Sequence, residues 1–411
     1  MKIILSLLSF FFVTLTFAQT IEVCATCEVK TIRKAVDIAT PGSTILVKKG
    51  VYQESNLLIE KSIKLKGEPG AIIDGQLKGD ILTIEADGFQ IDGFEIINVG
   101  TSFTKDYAAV RIRKSRDFII ENLVIKKPFF AIFLERGDHG IVRNNKVYGE
   151  AVSEFNAANG IQLWYSHGNL VENNEVFKMR DGLYLEFSDS NVFKNNISEN
   201  NVRYGLHFMF CHDNLVEHNL FKHNGAGIAI MFSKRTLAQY NTMENNWGGA
   251  AYGILLKEVV DSKIIYNKFI RNTTALNIEG SNRIHYEHNT FQSNGWAINS
   301  RGANYENIFV NNNFVNNSFD LSYKGSLNEN SFNGNYWSEY SGYDLDRDGI
   351  GDVPYRPIKL FSYVVNKSPE AIILLRSMFI DIVDFSEKVS PVFTPDNLMD
   401  ETPRMKMIKN D

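Results

Sequence analysis

Nothing in this 411-residue chain is strongly basic, and nothing beyond its first stretch is both long and apolar. A formal net charge of −5, with no Lys/Arg block, offers no electrostatic footprint for nucleic acid. No later stretch stays uncharged over the ~20 residues that a membrane-spanning helix needs. The chain has no nucleophile–base spacing, phosphate-cradling glycine loop or H-E-x-x-H pair, so it carries none of the common hydrolase or nucleotide signatures. Proline is scarce, at nine residues, and cysteine scarcer still, at three: Cys24, Cys27 and Cys211. "CATC" (24–27) lacks the surrounding βαβ pattern of a thioredoxin-like protein. In an exported chain it reads as a local disulfide, a metal-binding thiol pair or a redox motif, and Cys211 is left as an odd thiol.

The first stretch is the exception. In "MKIILSLLSFFFVTLTFAQT", Lys2 is followed by an apolar run through Phe17, and Ala18 stands before a polar turn. The run is short for a membrane span, so residues 1–18 read as a secretory signal cleaved near Ala18–Gln19. The competing reading is a buried first strand. Export to the periplasm is the expectation.

What the chain does have in quantity is asparagine, and it is spaced. Aligning "GIQLWYSHGNLVENNEV", "GLYLEFSDSNVFKNNIS", "GLHFMFCHDNLVEHNLF", "GIAIMFSKRTLAQYNTM" and "GILLKEVVDSKIIYNKF" exposes a repeat. Its first apolar residues are Val110, Ile132, Ile161, Leu183, Leu206, Ile228, Ile254 and Leu276, at intervals of 22, 29, 22, 23, 22, 26 and 22. An Asn follows thirteen positions later in seven cases: Asn145, Asn174, Asn196, Asn219, Asn241, Asn267 and Asn289. Because this phase survives the two long intervals, the extra residues (150–160 and 244–253) are expected to be loops at one corner.

Short alternating strands without a helix in each ~22-residue unit predict an all-β fold, a right-handed parallel β-helix solenoid. The recurring Asn is expected at an inward turn, bonded to the Asn of the rungs above and below. A leucine-rich solenoid is the competitor, but its consensus and helical return are missing. "TIRKAVDIA" (31–39) places Ile32, Ala35, Val36 and Ala39 on one helical face and suits an N-terminal cap. The tail "SPEAIILLRSMFIDIVDFSEKVS" carries Ile372, Leu375, Phe379, Ile382 and Val383 at helical spacing, with Arg376, Asp381 and Asp384 against a membrane span. It reads as a cap helix or an amphipathic anchor for a membrane partner. The expected organisation is signal (1–18), capped solenoid (19–330), acidic loop segment (331–360) and helical tail (361–411).

Candidate site residues follow from the alternation. Leu206 and Phe208 fall in the inward phase, so His207 and Met209 face outward, and Met231 stacks beside Met209 from the next rung. An imidazole and two thioethers on an accessible outer surface favour a soft ion, Cu(I); Met and aromatic residues covering a sheet is the plainer alternative. Cys211 falls in register with Ser166, Ser188 and Ser233 at a turn, and with Cys24 and Cys27 it forms a weaker candidate set. "GYDLDRDGIGDVPY" gives D-x-D-x-D-G-x-x-D. Asp344, Asp346, Asp348 and Asp352 offer hard oxygen ligands and the Ile350 carbonyl adds another, which predicts a structural Ca²⁺. Tyr355 stands where the usual last acidic ligand would be. Outward Arg111, Arg113, Glu135 and Glu186 leave room for polysaccharide-lyase or glycoside-hydrolase chemistry, with the carboxylates two rungs apart.

With these residues in view, the sequence resembles the NosD family over nearly the whole mature chain. The stretches that carry the resemblance are "RYGLHFMFCHDN", "GAGIAIMFSK", "WGGAAYGILLKE", "NYWSEYSGYDLDRDGIGDVPY" and the tail "SPEAIILLRSMFIDIVDFSEKVSPVFTPDNLMDETPRMK". It implies a non-enzymatic periplasmic protein that works with the permease and ATPase subunits of an ABC transporter. The implied role is transient handling of Cu(I), and maturation of nitrous oxide reductase with a copper-chaperone lipoprotein upstream. "CATC" has no counterpart in that pattern. The alternative function is a carbohydrate-binding or polysaccharide-cleaving β-helix.

Overall fold

The computed structural model describes residues 19–102, 104–155, 157–326, 329–359, 361, 364–365, 368–374, 377–389 and 398–409. The expected signal, 1–18, lies outside them. The chain winds into a parallel β-solenoid whose three sheets hold 14, 13 and 12 strands, each paired with its counterpart in the next rung. One rung illustrates the path. Ala108–Arg113 lies in the 12-stranded sheet, Ile119–Glu121 in the 14-stranded sheet and Val124–Lys126 in the 13-stranded sheet. The chain then re-enters the 12-stranded sheet at Phe130–Glu135, in parallel register with Ala108–Arg113.

The repeat phase is the core. Val110, Ile132, Ile161, Leu183, Leu206, Ile228, Ile254 and Leu276 pair in that order along the 12-stranded sheet and are all fully buried. No rung can bury its own apolar side alone, so stacking creates the continuous core.

The corner between the 14- and 13-stranded sheets is turned by one residue in the left-handed region, such as Asn195, His218, Tyr240 and Tyr266 at φ +54 to +56°. That conformation is costly for bulky residues. Here the rings of His218, Tyr240, Tyr266 and His288 recover contact by stacking at 4.8–5.0 Å. The next residue is the periodic Asn, whose side chain turns inward. From Asn145 through Asn174, Asn196, Asn219, Asn241, Asn267, Asn289 and Asn312 to Asn335, each Nδ2 donates to the next Oδ1 at 2.9–3.2 Å. A second amide ladder, Asn201, Asn224, Asn246, Asn272, Asn294 and Asn317, lies at the corner leading into the 12-stranded sheet. Every one of these amides is buried, so the ladders satisfy groups that would otherwise be costly to desolvate.

Both long intervals emerge at that same corner. Residues 149–160 separate Lys146–Tyr148 from Ile161–Trp164, and residues 245–251 separate Thr242–Glu244 from Tyr252–Lys257. Helix α1 (Ile32–Ile38) closes the N-terminal end. Thr31 caps it, Glu54 receives the Ile32 and Arg33 N–H groups, and Ile32, Ala35 and Val36 are buried.

The C-terminal end differs from the expected helical lid. It is residues 398–408 that lie on the last rung: Asp400 and Arg404 bridge Phe332 and Tyr336, and Asn313 exchanges two hydrogen bonds with Ile408. Asp400 accepts the final ladder bond from Asn335 Nδ2, along with those of Gly334 N, Asn335 N and Trp337 Nε1. The tail itself breaks into a 3₁₀ turn (Pro369–Leu374) and helix α2 (Met378–Val389). Ile380 packs with Phe361 and Val365 onto Phe319 of the 12-stranded sheet, so α2 lies against the side of the solenoid. The predicted packing face is reversed in part, because Ile372, Phe379 and Ile382 are exposed. Among the described residues no helix is long and apolar enough to cross a membrane.

Candidate functional site

The outer face of the 12-stranded sheet is where the rungs stop resembling one another. Near its N-terminal end, Ala108, Phe130, Phe133 and Ala158 form an apolar cluster beneath the first loop. Near its C-terminal end, Trp296 and Phe319 are covered by the tail. Between them lies a polar set on three rungs that the two loops flank. The loops carry exposed apolar side chains, Val152 and Phe155 on one and Trp247 on the other.

Asp181 and His207 occupy the centre of this set. The register pairs Asp181 with Tyr204, Tyr184 with His207, and Glu186 with Met209. Asp181 is fully buried and receives Arg203 Nε at 2.9 Å and Arg203 Nη2 at 2.5 Å. Burial alone would raise the Asp181 pKa. The Arg203 and His207 hydrogen bonds outweigh it and hold the carboxyl below the usual carboxylate range. The second oxygen also faces His207 Nδ1 at 3.4 Å. A carboxylate there selects the tautomer with its proton on Nδ1, which leaves the lone pair on Nε2. His207 Nε2 is itself buried and has no hydrogen-bond partner among the described residues.

His207 thus faces outward, as the alternation requires, but the expectation that it is accessible is wrong. It is only 5% exposed, because the rings of Tyr184 and Tyr204 pack on it with centroids 4.9 and 4.7 Å away. Outward-facing and exposed differ wherever large neighbours stand on the same face. Burial raises the pKa of both tyrosines, so they present neutral phenols to the imidazole.

Met209 and Met231 are register partners on the same face, as the alternation predicts, and both are half-buried. Beside them runs an aromatic ladder, Tyr165, Phe187, Phe210 and Phe232, with ring spacings of 4.9–5.2 Å. These rings sit at left-handed turn positions, with φ +47 to +55°, and Tyr165 and Phe210 are exposed. The ladder was missed from sequence although its signal was there: an aromatic residue stands four places after the column residue in four successive rungs. Asp181 and Arg203 were missed too, and their only signal is a break in pattern.

The remaining candidates do not join this cluster. Cys24 and Cys27 form a disulfide, so in this state they offer no thiolate. The Cys211 thiol is buried, its pKa pushed up to about 12 by that burial, and its Sγ donates to the Met209 carbonyl at 3.3 Å. Glu135 and Glu186 stand two rungs apart, with Trp164 between them in register. Glu135 is engaged by Arg111 and Arg113 at 3.5 and 3.6 Å, and Arg111 also pairs with Asp80. At the C-terminal end, Asp344, Asp346 and Asp348 bring carboxylate oxygens within 4.8 Å of one another. Asp352 accepts from the Leu345 N–H at 2.7 Å and so closes the loop.

A family model described as "Periplasmic copper-binding protein (NosD)" matches residues 148–342, which include both loops and the His207 cluster. The chain is 31% identical over 379 residues to the "Probable ABC transporter binding protein NosD" of Pseudomonas aeruginosa, covering 86% of each. Its identity to the protein of the same description from Stutzerimonas stutzeri is 30% over 379 residues, covering 87% of this chain and 86% of that one. Among solved structures, the Azotobacter vinelandii mannuronan C-5 epimerase AlgE6 A-module matches with a TM-score of 0.58 at 14% identity, over 72% of this chain and 93% of that one. A Yersinia enterocolitica family 28 exopolygalacturonase matches with a TM-score of 0.57 at 11% identity, over 76% and 78%. At such identities these two likenesses concern the solenoid alone.

Proposed function

This chain belongs to the NosD family, and on that premise we propose that it receives and passes on Cu(I) at the outer face of the 12-stranded sheet, through His207, Met209 and Met231. The observation that carries the reading is the buried, unpartnered Nε2 of His207, whose opposite nitrogen is held by Asp181. A buried lone pair without a donor is costly and is commonly the mark of a missing ligand. A carboxylate behind an imidazole is the usual support for a metal-binding nitrogen. Two thioethers supply the soft donors that favour Cu(I). Such a set is sparse enough to release its cargo, and a partner protein can complete it. Tyr184 and Tyr204 would have to yield for the ion to enter, which makes partner docking part of loading.

The family's description as periplasmic and its relatives' description as transporter binding proteins support the wider proposal. In it the chain sits on the permease of an ABC transporter with its ATPase. It takes copper from a chaperone lipoprotein and serves maturation of nitrous oxide reductase. The exposed α2 residues Met378, Phe379, Ile382 and Phe385 are the proposed contact with the membrane-side partner. The acidic loop is proposed to hold a structural Ca²⁺ through Asp344, Asp346, Asp348 and the Ile350 carbonyl.

The test is anaerobic Cu(I) titration of the oxidised mature protein against a chromophoric competing chelator. Wild type should bind one equivalent, and His207→Ala combined with Met209→Leu should lose it while keeping the fold by circular dichroism. Met231→Leu should weaken binding less. Unchanged binding in the double variant would place the copper site elsewhere.

A further inference from the structure

The disulfide between Cys24 and Cys27 ties together residues only three apart in sequence. A crosslink stabilises chiefly by joining segments that would otherwise be free to separate. This one joins the two ends of a single turn, and that turn is already closed below it. Val23 and Val29 form a bridge, the Cys24 N–H donates to the Val29 carbonyl at 3.2 Å, and the Cys27 N–H donates to the Cys24 carbonyl at 3.2 Å. Tyr52 anchors the strand beneath by donating its hydroxyl to the Val23 and Lys48 carbonyls. None of these backbone contacts passes through the sulfurs, so breaking the S–S bond removes none of them directly. Both cysteines are half-exposed, with Ala25 and Thr26 exposed between them, so a reductant can reach the bond. Cys211, the third thiol, is buried within the solenoid core and cannot exchange with the pair.

From this we infer that Cys24 and Cys27 are a second, redox-gated Cu(I) site at the N-terminal end: closed as the disulfide, and open as a dithiol on a preformed turn. The inference takes only its cargo from the copper reading above. Reduction is written with a dithiol reductant. One of its thiolates attacks a sulfur of the pair, forms a mixed disulfide and expels the other sulfur as thiolate. The reductant's second thiol then closes its own disulfide and releases the first cysteine. Two electrons and two protons pass to the pair, and the reductant leaves oxidised. Binding of one Cu(I) between the two sulfurs then displaces both protons, since the thiolate is the ligand. The Thr26 hydroxyl, 3.4 Å from Cys24 Sγ, is placed to donate to that thiolate. The pair lies at the first rung and His207 some eight rungs along, on the order of 40 Å away at the stacking distance of strands. One ion cannot be shared between them.

The experiment is Cu(I) titration of the mature full chain, disulfide-intact and after dithiol reduction and desalting under argon, with the same chelator competition. The reduced protein should bind one equivalent more than the oxidised protein. Cys24→Ser/Cys27→Ser should abolish that gain, with a Tm within about 2 °C of the wild type. The gain should persist in His207→Ala/Met209→Leu. Equal binding by oxidised and reduced wild type, or a gain that survives in the double serine variant, overturns the inference. So does a large loss of Tm in that variant, because the disulfide would then be a structural staple. Failure of the His207 reading alone shows as zero binding to oxidised wild type with the reductive gain intact.

Discussion

The amide corner and the outer face of the 12-stranded sheet are built from the same rungs, yet only the corner repeats. From Asn145 to Asn312 the corner Asn meets the same surroundings in each rung: a backbone carbonyl one rung back, another amide ahead and a buried site. One residue type solves that problem each time, so the position is periodic. The outer face meets loops, the tail and solvent in turn, and each rung answers differently: Arg111, Phe133, Gln162, Tyr184, His207, Ala229. Repetition marks what holds the solenoid together, and departure from repetition marks where chemistry can sit.

That contrast can be broken from the corner side first. Asn219 accepts from the Asn196 backbone and side-chain N–H groups and donates to the Phe193 carbonyl. Asn219→Leu leaves these buried groups unpaired, at about 1–3 kcal/mol each. Urea unfolding should show the largest loss of stability of any substitution considered, with Cu(I) affinity unchanged in the protein that remains folded. Leu206→Ala should follow at roughly 2–5 kcal/mol, again through stability alone.

On the outer face, Asp181→Asn should lower Cu(I) affinity by roughly 10–100-fold by releasing His207 from its orientation. It also removes a pH-dependent stabilisation whose sign is fixed by the depressed pKa. The carboxylate stabilises the fold above its unfolded value near ~4 and loses that contribution as pH falls through the lower folded value. The melting-temperature gap between wild type and variant should therefore close on acidification below pH ~4. A gap of constant size down to pH 2 would contradict it.

Asp320 gives the opposite sign. Burial, with Glu339 nearby, raises its pKa to about 7, while Asn317 and Tyr355 hydrogen-bond to it. Its proton favours the fold below the unfolded value near ~4, and that contribution disappears as pH rises through about 7. Asp320→Asn should be neutral at pH 4 and stabilising by about 1–3 kcal/mol at pH 8. The smallest effect is expected at the acidic loop. Wild type should gain a few degrees of Tm with millimolar Ca²⁺, and Asp346→Ala with Asp348→Ala should abolish the gain without touching Cu(I) binding. An unaltered Tm on adding Ca²⁺ or chelator would reduce the loop to an acidic turn.

Most of the fold was legible because its core column and amide ladder recur thirteen residues apart in nearly every rung. Both irregular intervals could be placed at one corner by the same phase. The outward pairing of Met209 with Met231 followed from alternation as well. What alternation cannot supply is the height of the neighbours. Tyr184 and Tyr204 bury His207, and neither ring announces in sequence which way it leans. The Asp181 contact was illegible for a related reason: Asp181 lies one rung and 26 residues away from His207, and only the exact register brings them together. The C-terminal lid misled because helical periodicity was visible at 368–390, whereas the segment that does the covering, 398–408, has no period at all.

The ladder also has a direction. Every amide donates forward, toward the next rung, and the last donor, on Asn335, meets Asp400. A carboxylate can accept but has nothing to pass on, so the row ends there by chemistry as well as by shape. An asparagine at 400 would put an NH₂ where Asp400 Oδ1 accepts from the Gly334 and Thr402 N–H groups, setting donor against donor inside the closed end. The protein is in this sense a filament interrupted at a chosen length.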